Sequence, residues 1–309
     1  MSWITRIGWL AIAVALTVAI YNGTQRPERA PPPPPPAACT ALTFDAQGTL
    51  FLGDGTGRFG PVGGARAMAH DGALRALLPT EDGGWWTVAA GSVARWAPDG
   101  AALGRWRLPE HRLNAAIPLD GGDLLMAAER GTVARVDSAG AIVWQAVGFH
   151  GKATFGLARS PSGEQVASVG ADGRVASWGV ADGKMIADWQ AHRGWATGVA
   201  WRADGLITVG ADGNLVRWRP DGTEINRQST GHSKPITALA VDAERIATAS
   251  LDGTVRIFAR VLGAVQPRVL GDEITPKFTV VLRQQQVWAG LRDGVVRGWD
   301  VQTGALLSK

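Results

Sequence analysis

One cysteine, one tyrosine and five histidines in 309 residues leave little material for several kinds of chemistry. A lone Cys39 cannot build an internal disulfide framework or a Cys-based zinc site. Inert thiol, intermolecular crosslink and acylation site stay open for it, although Pro36 stands where a bacterial lipobox places Leu. No H-E-x-x-H or comparable ligand spacing occurs, so metal binding is not expected. Runs of Lys and Arg are missing as well. The formal charge is +4, and removing Arg6, Arg26, Arg29 and Glu28 from the first 37 residues leaves only +2 on the rest. Nucleic-acid binding needs clustered positive charge and is excluded on that ground.

Charge is also absent from Ile7 to Tyr21, IGWLAIAVALTVAIY, which follows Arg6. Fifteen helical residues span about 22 Å, short of a hydrocarbon core of roughly 30 Å. Starting the span at Trp3 adds four residues, with Arg6 reaching to the headgroups and Trp3, Trp9 and Tyr21 near the interfaces. Tyr21-Asn22-Gly23 offers no small-x-small cleavage pattern. Residues 1–21 are therefore expected to be a retained transmembrane helix or signal-anchor, contacting the membrane through residues 3–21. A short amino-terminal anchor with no preceding domain exports the chain behind it, which puts the remainder on the periplasmic side of an inner membrane. Residues 22–37 hold Pro27 and Pro31 to Pro36, a stiff polyproline II spacer.

What the chain has in quantity is Gly, 41 residues, and Trp, 14, a composition suited to many short strands joined by tight turns. Self-similarity organises them. SVGADGRVASW at Ser168 to Trp178 returns forty residues later as TVGADGNLVRW, Thr208 to Trp218, then as TASLDGTVRIF, Thr248 to Phe258, and as AGLRDGVVRGW, Ala289 to Trp299. Weaker copies precede Phe59, Trp96 and Val136. The turn glycines Gly55, Gly91, Gly131, Gly173, Gly213, Gly253 and Gly294 count seven units in residues 38–309. Asp precedes five of them, and Asp-Gly between apolar runs signals a hairpin because Gly accepts positive φ. A second Gly nine or ten residues on marks another hairpin in each unit. Four strands in about forty residues make one blade of an all-β, seven-bladed β-propeller.

These residues resemble the WD-repeat family, with Gly231-His232 matching its Gly-His and Trp299-Asp300 its closing dipeptide. All five histidines stand 20 to 23 residues before the next turn glycine. The resemblance implies buried structural tetrads of His, Ser/Thr, Asp and Trp: His150, Ser168, Asp172 and Trp178; His192, Thr208, Asp212 and Trp218; and His232, Thr248 and Asp252, with Phe258 in the Trp place. Ala90 and Arg130 replace Asp in blades 2 and 3, and blades 1 to 3 are expected to lack the tetrad. The ring is expected to close through the carboxyl terminus alone, without an amino-terminal strand in blade 7.

Recurrence of His, Asp and Ser/Thr at one place in successive units argues for a structural need, not an acyl-transfer triad. No catalytic residue and no cofactor is expected. The family's binding face implies protein partners, with Lys152, Arg193, Trp195, Lys234, Leu251 and Arg292 as candidate contacts. The expected function is a membrane-tethered scaffold. The alternative is an exported propeller that binds a small ligand or carbohydrate, and a quinoprotein-like enzyme ranks third. Trp85 and Trp86, alternating along a strand, are expected to point to opposite faces, one of them to the surface.

Overall fold

The computed structural model describes residues 14–15, 38–108, 112–259, 266–271 and 274–308. Seven antiparallel sheets form seven blades, and each blade takes its four strands consecutively from the chain. Blade 1 runs from Cys39–Phe44 to Ala67–Met68, blade 2 from Leu74–Pro79 to Ala102–Arg107, and blade 3 from Leu113–Pro118 to Ile142–Ala146. Blade 4 runs from Thr154–Arg159 to Met185–Gln190, blade 5 from Ala196–Arg202 to Glu224–Ser229, blade 6 from Ile236–Val241 to Arg268–Gly271, and blade 7 from Lys277–Arg283 to Leu306–Ser308. Apart from a three-residue 3₁₀ turn at Asp120–Gly122, no helix occurs among the described residues.

The core is divided among the seams between blades. Seven hydrophobic clusters each draw on two adjacent blades. Packing on both faces explains why apolar residues occupy both parities of the inner strands, since each sheet is covered by a neighbour on either side. It also corrects the expectation for the tryptophan pair. Trp85 and Trp86 do point to opposite faces, but both are buried, Trp85 against Phe51 of blade 1 at 4.4 Å between centroids and Trp86 against Trp106 at 5.4 Å. In a propeller the far face of a blade is another seam.

Closure joins blade 7 to blade 1 through packing, with Cys39, Leu42 and Leu52 against Val281 and Val296. Blade 7 is built wholly from residues 277–308, and Cys39–Phe44 is the innermost strand of blade 1. Arg283 Nη1 donates to the Asp45 carbonyl at 3.0 Å across the seam, and its guanidinium lies over the Phe44 ring. Gly290 is needed there: a Cβ would fall 2.4 Å from Cys39 Sγ. Burial pushes the Cys39 thiol up to about 12, so in the folded ring it stays protonated and packed in the seam.

Of the apolar amino-terminal run, Val14–Ala15 is described, as a two-residue strand antiparallel to Ala238 and Leu239 on the inner edge of blade 6. The anchor and spacer expectations otherwise fall on residues outside the described ones. Among the described residues no helix is long and apolar enough to cross a membrane.

Candidate interaction face

Antiparallel order puts the turn between second and third strands, and the loop leading into each first strand, at the same end of every blade. A backbone bond clips the two together. Ala171 N donates to Ala153 O, Ala211 N to Trp195 O, Leu251 N to Pro235 O and Arg292 N to Pro276 O, at 2.8 to 3.2 Å. These turns and loops form one face of the disc, and chain entry at Ala38 lies on it, since Gly55 N donates to Ala38 O.

Beneath that face sit the histidines. His150 Nδ1 is 3.0 Å from Asp172 Oδ1, His150 Nε2 is 2.8 Å from Ser168 Oγ, and the Trp178 indole N–H donates to the same hydroxyl at 2.8 Å. Blade 5 repeats the set, with His192 Nδ1 2.9 Å from Asp212, Nε2 2.8 Å from Thr208 Oγ1, and Trp218 donating at 2.9 Å. An indole only donates and a carboxylate only accepts, so with the ring neutral the hydroxyl accepts from Trp and gives its own hydrogen to Nε2. That leaves the imidazole proton on Nδ1, facing the carboxylate. Each group is satisfied by one directed chain, which is what a buried polar set requires.

Burial alone would raise the Asp172 carboxyl, but the His150 hydrogen bond and the Arg174 amide hold it below the usual range. The same opposition, with the histidine bond winning, lowers Asp212 and Asp252. In blade 6, His232 reaches Asp252 and Thr248 at 2.9 Å each, while Phe258 offers no N–H. Thr254 compensates on the other side, its hydroxyl donating to Asp252 Oδ1 at 2.7 Å. Ser168, Thr208 and Thr248 are fully buried, so no substrate reaches their hydroxyls.

Blade 2 lacks the Asp of the tetrad, as expected, yet it keeps the other three members. His70 Nε2 lies 2.9 Å from Thr87 Oγ1, Trp96 donates to that hydroxyl at 2.8 Å, and His70 Nδ1 meets Ser92 Oγ at 2.7 Å. Its turn is one residue shorter, so Thr87 stands three residues before Ala90 where Ser168 stands four before Asp172. A serine two residues past the Asp place supplies the acceptor. Burial, and then the charge of Arg105, lower the His70 pKa to about 4, outweighing the Thr87 carbonyl and the charge of Asp71, which raise it.

The other departures are real substitutions. Asp54 of blade 1 pairs with Arg66 at 3.1 Å and accepts from Thr56. In blade 3 the turn is Arg130-Gly131, both at positive φ, with Arg130 N donating to Lys152 O at 2.7 Å; His111 lies outside the described residues. Met126 and Val136 fill the tetrad space with apolar atoms. In blade 7 Asp293 is exposed, and Asp272 and Glu273 lie outside the described residues. Sequence reasoning missed Lys277, fully buried at the start of the inner strand, whose Nζ donates to Thr275 O at 2.8 Å. Nothing in the surrounding apolar alternation marks it.

All seven inner strands carry a bulge at their second residue, Phe155 among them. A bulge re-aims a side chain. Phe155 thereby meets Trp195 of the next loop, ring centroids 5.7 Å apart and inclined 60°. Trp195 is half-buried, whereas Lys152, Arg193, Lys234 and Arg292 are exposed and Leu251 is partly so. Arg193 N and Ser233 N each donate to the tetrad carboxylate below, at 3.1 and 3.0 Å, which fixes the backbone under the outward side chains. The six candidate contacts thus share one face, with Lys152, Arg193, Trp195, Lys234 and Leu251 on blades 4 to 6 and Arg292 apart on blade 7. Among the described residues no cluster of three or more His, Cys, Asp or Glu is placed to hold a metal ion.

A second recurring device was not foreseen. Trp106, Trp144 and Trp189 of outer strands lie on Gly140, Gly183 and Gly222 of the following blades, where a Cβ would come within 2.4 to 2.8 Å of the ring. Trp106 and Trp144 also donate to carbonyls of the next blade, at 3.1 and 2.9 Å. The second glycine of a unit therefore seats its neighbour's tryptophan as well as turning the chain.

Residues 224–258 match the family described as WD domain, G-beta repeat. That segment starts on the outer strand of blade 5 and ends on the third strand of blade 6, so one sequence repeat staggers across two blades and contains His232, Thr248, Asp252 and Phe258. A stretch of 106 residues is 31% identical to telomerase protein component 1 of Rattus norvegicus, covering 33% of this chain and 4% of that protein. The crystal structure of the computationally designed Ika8 protein superimposes with a TM-score of 0.69 at 23% identity, over 88% of this chain and 86% of that one. This likeness is one of fold.

Proposed function

We propose that this seven-bladed WD-repeat propeller is a membrane-tethered scaffold that holds protein partners on its loop face and performs no chemistry of its own. The observation that carries the reading is the burial of the His70, His150, His192 and His232 side chains against the buried hydroxyls of Thr87, Ser168, Thr208 and Thr248. Their polar atoms are spent on one another, and what the face offers a ligand is side-chain surface. WD-repeat propellers generally act as such surfaces, and the likeness to a protein named as a telomerase component is in keeping with a part that works within an assembly. A Trp and an Arg side by side, Trp195 and Arg193, are the residue types enriched at binding hot spots.

The tether rests on the run Ile7–Tyr21, which holds no charge and is rich in Ile, Leu, Val and Ala. Entry of this run into a bilayer requires the two-residue pairing of Val14–Ala15 with blade 6 to open. An anchor placed ahead of the propeller supports a periplasmic location on the inner membrane. Affinity capture from membranes solubilised in non-ionic detergent tests the scaffold: reproducible co-purification above an anchor-only control is expected, and its absence would remove the reading. Alkaline carbonate extraction tests the tether, with retention in the pellet expected and release into the supernatant contradicting it.

A further inference from the structure

We propose that the partner segment received by this face is an acidic peptide strand carrying one bulky apolar side chain, lying across blades 4 to 6. The inference rests on the scaffold reading and adds the chemistry of the partner. Lys152, Arg193 and Lys234 follow the histidines of three successive blades and are all exposed. The turn carboxylates of the same blades, Asp172, Asp212 and Asp252, point inward at His150, His192 and His232 and lie 22%, 10% and 6% exposed. Asp188, the other acid toward that end of blade 4, is paired with Arg174. The sector therefore shows solvent three cations with their neighbouring anions turned away or paired. Between them the half-buried Trp195, backed by Phe155, forms an apolar seat.

The remainder of the face mixes signs, with Arg112, Arg130 and Arg292 exposed among carboxylates. Glu129 of blade 3 is half exposed beside Arg112 at 3.7 Å, and Asp71 and Asp293 stand exposed on the loops of blades 2 and 7. A flat anionic bilayer pressed on the disc would meet these carboxylates together with the cations. A narrow segment crossing blades 4 to 6 misses Asp71 and Asp293 and meets only Glu129, which its bridge to Ala153 sets beside Lys152 and which Arg112 pairs. Complementarity of this kind steers and registers a partner, and an aromatic anchor at its centre supplies affinity.

The test uses the full-length chain in non-ionic detergent and a fluorescein-labelled peptide of glutamates around a central phenylalanine, read by anisotropy. Saturable binding that weakens with salt is expected. Arg193→Glu with Lys234→Glu should weaken it about tenfold or more, with an unchanged melt because both side chains are exposed. Trp195→Ala should weaken it several-fold, and replacing the phenylalanine by glycine should do the same. Indifference to the double charge reversal, or equal binding of a lysine-for-glutamate peptide, would overturn the proposal. So would displacement of the peptide by mixed micelles containing phosphatidylglycerol but not by those with phosphatidylcholine, which would assign the sector to lipid headgroups. Membrane capture by the wild-type chain without any binding of the peptide would sink this inference and leave the scaffold standing; failure of both in the wild type would remove both.

Discussion

Blades 2 and 5 hold their histidines in nearly the same frame, yet they hang them on different acceptors. Both use a Thr hydroxyl and a Trp indole at 2.8 to 2.9 Å, but Nδ1 faces Ser92 in blade 2 and the Asp212 carboxylate in blade 5. The geometry of pinning is preserved while the charge is not. A serine satisfies a neutral imidazole as well as a carboxylate does, but it cannot support an imidazolium. The difference sets His70, whose Nδ1 meets a hydroxyl, apart from His150, His192 and His232, whose Nδ1 meets a carboxylate.

The largest expected effect comes from removing a histidine outright. His192→Ala leaves the Asp212 carboxylate, the Thr208 hydroxyl and the Trp218 N–H without their shared partner, and should cost about 3 to 4 kcal/mol. His70→Ala strands only neutral groups and should cost about 2 kcal/mol. Urea denaturation midpoints, read with the melts of both variants, check the order. Equal losses would show that the carboxylate adds nothing and would dissolve the contrast.

Acid separates the blades next. The folded pKa of His70, about 4, lies below its ordinary value of 6.5, so the unfolded chain binds the proton more readily. Its contribution is whole above pH 6.5 and is lost as pH falls toward 4, by up to about 3 kcal/mol. Asp172, Asp212 and Asp252 are also depressed, from 3.8, so their contributions survive until pH drops below that value. Stability should therefore fall between pH 6.5 and 4 in the wild type and stay flatter in His70→Gln. A flat wild-type profile would contradict the assignment.

The tryptophan seats sharpen the comparison from the other side, since both parts of the ring use them. Gly140→Ala and Gly222→Ala each combine a positive φ, +87° and +88°, with a Cβ driven into Trp106 or Trp189, and each should cost about 2 kcal/mol at any pH. A pH-dependent loss at either would mean the seats and the histidines are not separate devices. Ser92→Asp has the smallest expected effect: it places a carboxylate beside His70 Nδ1 and should recover about 1 kcal/mol at pH 5 while changing little at pH 7.5. No recovery at pH 5 would break the electrostatic explanation.

Seven units, their four strands and the buried histidine sets of blades 4 to 6 were legible because glycine, aspartate and tryptophan recur at fixed spacing and each does one local task. The blade 2 set was hidden by a turn shortened by one residue, which moved Thr87 out of register and let Ser92 act from the far side of the turn. Trp85 and Trp86 were misjudged because period-two alternation says which way a side chain points and not what covers it. The Trp106, Trp144 and Trp189 seats join residues 33 to 39 apart in neighbouring blades, beyond any single-unit pattern. Phe155 and Trp195 meet only through a bulge, a backbone event with no residue signature here.

Hydrogen exchange measured by mass spectrometry at pH 7 and pH 5, expressed as protection factors, tests the division most directly. The account predicts that the strands bearing Ser168, Thr208 and Thr248 keep their protection at both pH values, while Trp85–Ala89 and Ser92–Trp96 lose about tenfold or more at pH 5. Equal protection changes in blades 2 and 5 would contradict it.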